Sequence, residues 1–268
     1  MLTIITPTFN SAGSINANIK SVLKQSYKNY EHIIIDNVSS DDTVQIIKNA
    51  YDEAHCINKL KIISERDEGI SDAFNKGVIN ANGEIITILN SDDYYYDDKV
   101  LERVVSALED DDKLFTHGNI FFEDPLFGSN IRKPLLCSVT KAMPYNHPTM
   151  FFRKEVYTKN GFFDTNYKFA MDFEFICRLI KQFDEFYNKG IYLIGDPLVT
   201  MAAGGASWRS ELASIDEGKR ALKTYGFWNF DARKNYILRK VRTKIKSWLS
   251  VIKMENVVTQ WRNRKWGN

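Results

Sequence analysis

The chain of 268 residues carries a formal net charge of only +2, with 44% hydrophobic and 26% charged residues. Those proportions exclude a disordered chain, and 14 glycines with 6 prolines exclude collagen-like or Pro/Gly-rich low-complexity sequence. The length suits one large α/β domain, or one domain with an appendage.

Residues 2–6 are a short apolar run that stops at Pro7, the form of a buried strand entering a loop. Ser14 is an N-cap candidate, and Ile15, Ile19, Val22 and Leu23 follow it at helical spacing. Residues 31–36 hold Ile33, Ile34 and Ile35 before Asp36, a second buried strand that ends in a carboxylate. Ser40, Asp41 and Asp42 then predict the cap of a helix bearing Val44, Ile47 and Ala50. Residues 60–64 read as a third strand and 70–81 as a helix, closed by Asn82-Gly83 as a C-cap signal. Residues 84–89 are a fourth strand that runs into Asn90-Ser91-Asp92-Asp93. Such alternation predicts an α/β fold with a mostly parallel, doubly wound sheet flanked by helices and joined by right-handed crossovers. Beyond about residue 110 the alternation loosens: residues 114–122 and 149–153 read as strands, and 172–182 and 210–225 as helices. The body is expected to end near Ser207.

In an open α/β sheet, ligands bind beyond the carboxyl ends of the strands. Three of those ends carry distinctive residues: Pro7-Thr8-Phe9-Asn10, Asp36 with Ser39, and Asp92-Asp93. Adjacent carboxylates repel one another unless a cation neutralises them, and oxygen ligands suit magnesium or manganese. A solvated turn is the plain alternative for an Asp-Asp pair; the apolar strand before it and the other loop motifs weigh against that. Neither a Gly-x-Gly-x-x-Gly loop after the first strand nor a Gly-Lys-Ser/Thr loop occurs. A bound nucleotide diphosphate would therefore need another counter-charge, which a metal on Asp92 and Asp93 supplies. Asp172 opens an amphipathic helix whose N-terminus stabilises a carboxylate, and capping alone would also explain it. His32, inside a strand, reads as structural, and residues 204–207 as a glycine-hinged lid or an ordinary loop.

The series Pro7-Thr8-Phe9-Asn10, Ile35-Asp36, Glu65 to Asp67, Gly69-Ile70-Ser71-Asp72-Ala73, Asn90-Ser91-Asp92-Asp93, His147-Pro148-Thr149, Met171-Asp172-Phe173-Glu174 and Gly204-Gly205-Ala206-Ser207 is ordered and spaced as a set. It resembles the family 2 glycosyltransferases of the GT-A fold, of the kind that builds bacterial surface polysaccharides, over about residues 1–208. The resemblance implies a catalytic domain over residues 1–208 and a helical, basic extension over 209–268. It also implies a nucleotide-diphosphate sugar donor and a divalent metal, Mn2+ or Mg2+, on Asp93 foremost and on Asp92. Asn90 stands where many family members have an acidic residue. By the same resemblance Pro7, Thr8 and Asn10 line the nucleotide floor, Asp36 sits by the base or ribose, Asp67 approaches the base, and Asp72 the donor sugar or ribose. Asp172 takes the place of the general base of inverting members, with Glu174 as the fallback, and His147 belongs to the acceptor side. A sugar hydroxyl needs such a carboxylate to take its proton. The implied reaction is a single in-line displacement by a saccharide or lipid-linked acceptor. Paired carboxylates could also serve a glycoside hydrolase, against which the phosphate-oriented pair at a strand end argues. The alternatives are a sugar nucleotidyltransferase, which would need a basic Gly-rich loop after the first strand, and a non-catalytic membrane-bound nucleotide-sugar sensor, which would not need Asp172.

The small net charge hides an asymmetry. Residues 232–268 carry eleven lysines and arginines against Glu255 alone, so the remainder of the chain is net acidic. Within that tail Ile237, Leu238, Val241, Ile245, Trp248, Leu249 and Ile252 share one helical face, and Arg239, Lys240, Arg242, Lys244 and Lys246 fall largely on the other. This pattern predicts a helix lying on an anionic membrane surface, or one packed on the body or on a second subunit as a homo-oligomer. Nucleic acid is not expected, because no recognition fold is visible. Cys56, Cys137 and Cys177 give neither zinc spacing nor a disulfide framework. The first ten residues lack the form of a secretory signal, and no run reaches ~18 apolar residues. A cytoplasmic protein, peripheral on the inner face of the membrane, is therefore expected.

Overall fold

The computed structural model describes residues 1–124, 128–183, 185–202 and 210–251. Its centre is a seven-stranded sheet built on β1 (Leu2–Thr8), β2 (Tyr30–Asp36), β3 (Leu60–Ser64), β4 (Ile85–Ile88), β6 (Phe115–Gly118), β9 (Phe151–Arg153) and β10 (Gly190–Leu193), in the order β10-β6-β9-β4-β1-β2-β3. β1 pairs in parallel with β2 and β4, β2 with β3, and β10 with β6. β9 runs antiparallel to both neighbours, β4 and β6, so the expected parallel sheet carries one reversed strand. A four-stranded sheet, β5 (Asp93–Tyr95), β11 (Val199–Ala202), β7 (Ile120–Glu123) and β8 (Asn130–Arg132), stands beside it.

β1 is buried along its whole length and sits mid-sheet, where a proline would ordinarily break the ladder. Pairing with β4 reaches only from Leu2 to Ile5, so the missing N–H of Pro7 falls beyond that ladder. The register sets Thr8 opposite Asp36 and Asp36 opposite Ser64, which brings three strand ends to one edge of the sheet.

Helices α1 (Ile15–Leu23), α2 (Thr43–Glu53), α3 (Ile70–Asn80), α4 (Val100–Ala107), α5 (Lys154–Asn160) and α6 (Met171–Gln182) flank the sheets. α1 and α2 close one apolar cluster with Ile34, and α3, α5 and α6 cover another through Phe74, Tyr157 and Phe175. α3 lies so close to β1 that a Cβ on Gly77 would come within 2.3 Å of the Ile5 side chain.

Two sequence expectations are corrected. Asn82-Gly83 does not cap α3: the helix passes through an extended Ala81, and Gly83 instead lets the chain press onto β1, where its Cβ would meet the Thr3 nitrogen at 2.6 Å. Residues 114–122 are not one strand. The run breaks at Asn119, whose side chain binds the Gly195 carbonyl at 2.8 Å and accepts from the Tyr192 hydroxyl at 2.7 Å, and its two halves enter different sheets. Period-2 hydrophobicity cannot reveal a change of sheet, because both halves are apolar.

Beyond the segment outside the described residues, α7 (Glu211–Thr224) packs back onto α6 and α8 (Phe230–Val251) packs on α7. Ala221, Leu222 and Ala232 join the same core cluster as Phe173 and Phe175. α8 turns Ala232 and Thr243 inward and leaves Ile237, Leu238, Val241, Ile245 and Trp248 exposed, so its apolar stripe is not the face that packs on the body. The proposed lid at residues 204–207, Ile252 and the side chains of Lys246 and Leu249 lie outside the described residues. No described helix is long and apolar enough to cross a membrane.

Candidate active site

A cleft of about 690 Å³ opens at the carboxyl edge of the main sheet. Pro7, Thr8 and Asn10 from the end of β1, Asp92 and Asp93 from the turn after β4, and His147 and Asp172 all line it. Residues separated by more than 150 positions thus meet because parallel strands deliver their ends to one side.

The β1 loop is tied to the β2 loop by its side chains. Asn10 adopts a left-handed conformation at φ 49°, which asparagine tolerates better than most residues. Its backbone N–H donates to Ser39 Oγ at 2.9 Å, and its Oδ1 accepts from the Ser40 N–H at 2.9 Å. Thr8 lines the cleft, and its Oγ1 is buried with no hydrogen-bond partner among the described residues.

The Asp92-Asp93 turn is braced from below. Asn18 of α1 donates through Nδ2 to the Asn90 carbonyl at 2.9 Å and to the Asp93 carbonyl at 3.0 Å. Asp93 is 2% exposed, and its carboxylate receives the Asn90 amide at 3.2 Å. Burial pushes the Asp93 carboxyl well above the usual range, and the neighbouring Asp92 charge adds to the rise. Asn90 Oδ1 is buried without a partner among the described residues. Two carboxylates and an orphan amide oxygen at one turn form an all-oxygen donor set of the kind a hard divalent cation takes. A third carboxylate, histidine or cysteine does not join them among the described residues, so substrate oxygens would have to complete the shell.

Across the cleft, His147 opens a short 3-10 turn and lies nearly parallel to the Phe74 ring at 6.1 Å between centroids, edge-on to Phe163 at 6.3 Å. Burial lowers its pKa, and the Asp172 charge pushes the other way. Asp172 is half-buried in the first turn of α6. Its Oδ1 accepts from the Phe173 N–H at 2.8 Å, and the residue lines the cleft.

Three residues singled out from sequence do not line the cleft. Asp36 is 1% exposed and accepts from Ser39 Oγ at 2.5 Å and from Ser64 Oγ at 2.6 Å, so it organises the strand ends from beneath. Asp72 faces its own helix start, accepting from the Glu68 N–H at 3.1 Å and pairing with Lys76 at 3.4 Å. Glu174 is fully buried, paired with Arg178 at 2.9 Å and accepting from the Tyr225 hydroxyl at 2.5 Å. Two residues on from Asp172, a helical side chain points roughly to the opposite face; Glu174 therefore staples α6 to α7 and has no reach to an acceptor. Asp67 does line the cleft, with its carboxyl raised chiefly by burial.

The structure adds wall residues that sequence reasoning passed over: Asn37, Phe74, Lys168, Phe169 and Met201. Asn37 had a signal, since it follows a strand-end carboxylate; its Oδ1 receives the Asp67 N–H at 3.0 Å. Lys168 and Phe169 had none, because only the packing of the loop before α6 brings them to the cleft.

Comparison with known proteins agrees with this geometry. An uncharacterised glycosyltransferase of Haemophilus influenzae is 35% identical over 146 residues, covering 54% of this chain; the chain spans only 55% of that relative's length. S. aureus TarS 1-349, solved in complex with UDP-GlcNAc, superposes with a TM-score of 0.68 at 18% identity, covering 84% of this chain and 65% of that one. The mannosyltransferase PcManGT of Pyrobaculum calidifontis, solved with GDP-Man and Mn2+, superposes with a TM-score of 0.64 at 16% identity, covering 99% and 82%. At those identities the two structures speak for the fold. The family profile described as glycosyl transferase family 2 matches residues 3–179, from β1 into α6, and takes in the strand ends after β1, β2 and β4 that line the cleft. The chain belongs to glycosyl transferase family 2 and carries its GT-A fold.

Proposed function

We propose that the chain is an inverting, metal-dependent glycosyltransferase that moves a sugar from a nucleotide-diphosphate sugar to a hydroxyl of a saccharide or lipid-linked acceptor, in the synthesis of a surface polysaccharide. The observation that carries this reading is that one cleft is lined both by Asp92 and Asp93 and by Asp172 with His147. Thr8, Asn10, Asn37 and Asp67 offer polar atoms to the nucleotide end. Asp172 lines the cleft and takes the acceptor proton as the hydroxyl attacks the anomeric carbon. Attack from the face opposite the departing diphosphate inverts that carbon in one step. Asp93 and Asp92, with Asn90 beside them, would hold manganese or magnesium, which when bound would neutralise charge on the diphosphate. The Mn2+ that accompanies GDP-Man in the PcManGT structure supports that choice of cofactor.

The exposed stripe of α8 extends the reading to an anionic membrane surface. Ile237 and Trp248 are 58% and 62% exposed, with Lys234, Arg242 and Lys244 also exposed on the helix. An interfacial helix of this form would hold the enzyme at the cytoplasmic face, where lipid-linked acceptors are presented.

The test is a panel of nucleotide sugars screened for a rise in melting temperature with and without MnCl2, since a ligand that binds only the folded state stabilises it. Asp172→Asn is expected to keep that stabilisation and to lose sugar transfer by 100-fold or more, on the order of a general base's contribution. Transfer that survives Asp172→Asn, or stabilisation that ignores both manganese and Asp93→Asn, overturns the reading.

A further inference from the structure

We propose that Glu217 of α7 is a positioning residue for the catalytic segment: it sets the placement of Lys168, Phe169 and Asp172 from a helix that contributes nothing to the cleft. The inference rests on Asp172 being the base. The Glu217 carboxylate receives three consecutive backbone N–H groups: Lys168 at 3.0 and 3.1 Å, Phe169 at 2.8 Å, and Ala170 at 2.9 Å. Those residues lead directly into α6, and Asp172 is its second residue. The helix has Ala170 at its N-cap and no side-chain cap of its own. Alanine is among the poorest residues for that position, because it offers no oxygen to satisfy the turn. Glu217 supplies from another element the anchoring that the local sequence omits, through charge-assisted bonds that are stronger than neutral ones.

The same segment is held at other points. Arg220, three residues along α7, stacks its guanidinium 4.0 Å from the Tyr167 ring centroid and donates to the Asn166 carbonyl at 2.7 Å. From the opposite side, Ser71 of α3 donates to the Tyr167 carbonyl at 2.6 Å and Asn75 donates to the Phe163 carbonyl at 2.8 Å. Of these ties, only Glu217 reaches the residues that line the cleft. Next to it, Asp216 accepts from the Tyr236 hydroxyl at 2.6 Å and pairs with Lys240 at 2.8 Å, so α7 links α8 to the catalytic segment. The loop ahead of Asp172 cannot shift without breaking these bonds. Misplacement of a reacting group by about 1 Å costs on the order of 100-fold in rate.

The experiment uses the full chain and the variants Glu217→Gln and Glu217→Ala. The first readout is hydrogen exchange of the amides of residues 168–170. In Glu217→Ala these are expected to exchange at least roughly tenfold faster, while amides of α3 and α7 keep their protection. The second is nucleoside diphosphate release from UDP-GlcNAc and GDP-mannose with MnCl2. The turnover number is expected to fall at least roughly tenfold in Glu217→Ala, with the donor KM within about twofold of wild type. Glu217→Gln, which keeps an accepting oxygen, should recover part of that loss. Unchanged exchange at 168–170 overturns the proposal. So does unchanged turnover, or a loss shared equally between turnover and donor KM, which would mark general loosening. If Asp172→Asn leaves diphosphate release intact, the assignment of the base fails instead, whereas the exchange readout reports on Glu217 without reference to it.

Discussion

Mild acid should destabilise this protein through a histidine remote from its cleft. His32 is fully buried in β2, with Nε2 2.9 Å from Thr6 Oγ1 and Nδ1 2.6 Å from the Tyr51 hydroxyl. Both hydroxyls can donate or accept, so protonation need not break either bond; the loss of water is what disfavours the imidazolium. Burial lowers the pKa from 6.5 to about 3. A group whose folded pKa is depressed in this way is neutral in the native state while the unfolded chain already binds the proton. Its contribution is full above pH 6.5 and is lost progressively as pH falls from there toward 3. At pH 5 the linked loss is about 2 kcal/mol, a large share of the roughly 5–15 kcal/mol that holds a domain folded. The assay is urea unfolding of wild type and His32→Gln at pH 7 and pH 5. Carboxylates and other histidines titrate in both proteins, so their effects cancel in the difference. His32→Gln is expected to be less stable at pH 7 but to lose about 2 kcal/mol less on acidification. Equal losses in the two proteins would refute the argument that the native imidazole stays neutral.

Glu174→Ala should act on stability, because it strips the partner from a nearly buried Arg178; breaking such a pair costs about 3–5 kcal/mol. The urea midpoint should drop by a corresponding amount, while diphosphate release per folded molecule stays close to wild type, since Glu174 lies off the cleft. Replacing Val241 by Glu places a charge in the exposed stripe of α8. Sedimentation with vesicles of phosphatidylcholine and phosphatidylglycerol should then show binding reduced at least roughly tenfold at an unchanged melting temperature.

The alternation of apolar runs with helical periodicity determined most of the main sheet. Buried β1, β2 and β4 read clearly because a strand covered on both faces must be apolar throughout. The residues that follow them, Thr8, Asn10, Asp92 and Asp93, were legible for the same reason: a parallel sheet leaves little choice about where its strand ends go. Asp172 was legible as a carboxylate opening a helix. What the sequence could not decide is where side chains point once elements pack. Asp36 and Glu174 have the composition of site residues, yet the register of β2 and β3 turns one toward Ser39 and Ser64, and the pitch of α6 turns the other toward Arg178 and Tyr225. The reversed strand β9 and the break at Asn119 likewise depend on partners more than 30 residues away. Glu217 shows the same limit most plainly: a solvent-type residue in the basic extension gives no local sign of its role, because the three N–H groups it binds reach it only through the docking of α7 on α6. Local chemistry named the strand ends, and long-range packing chose which of their neighbours face the cleft.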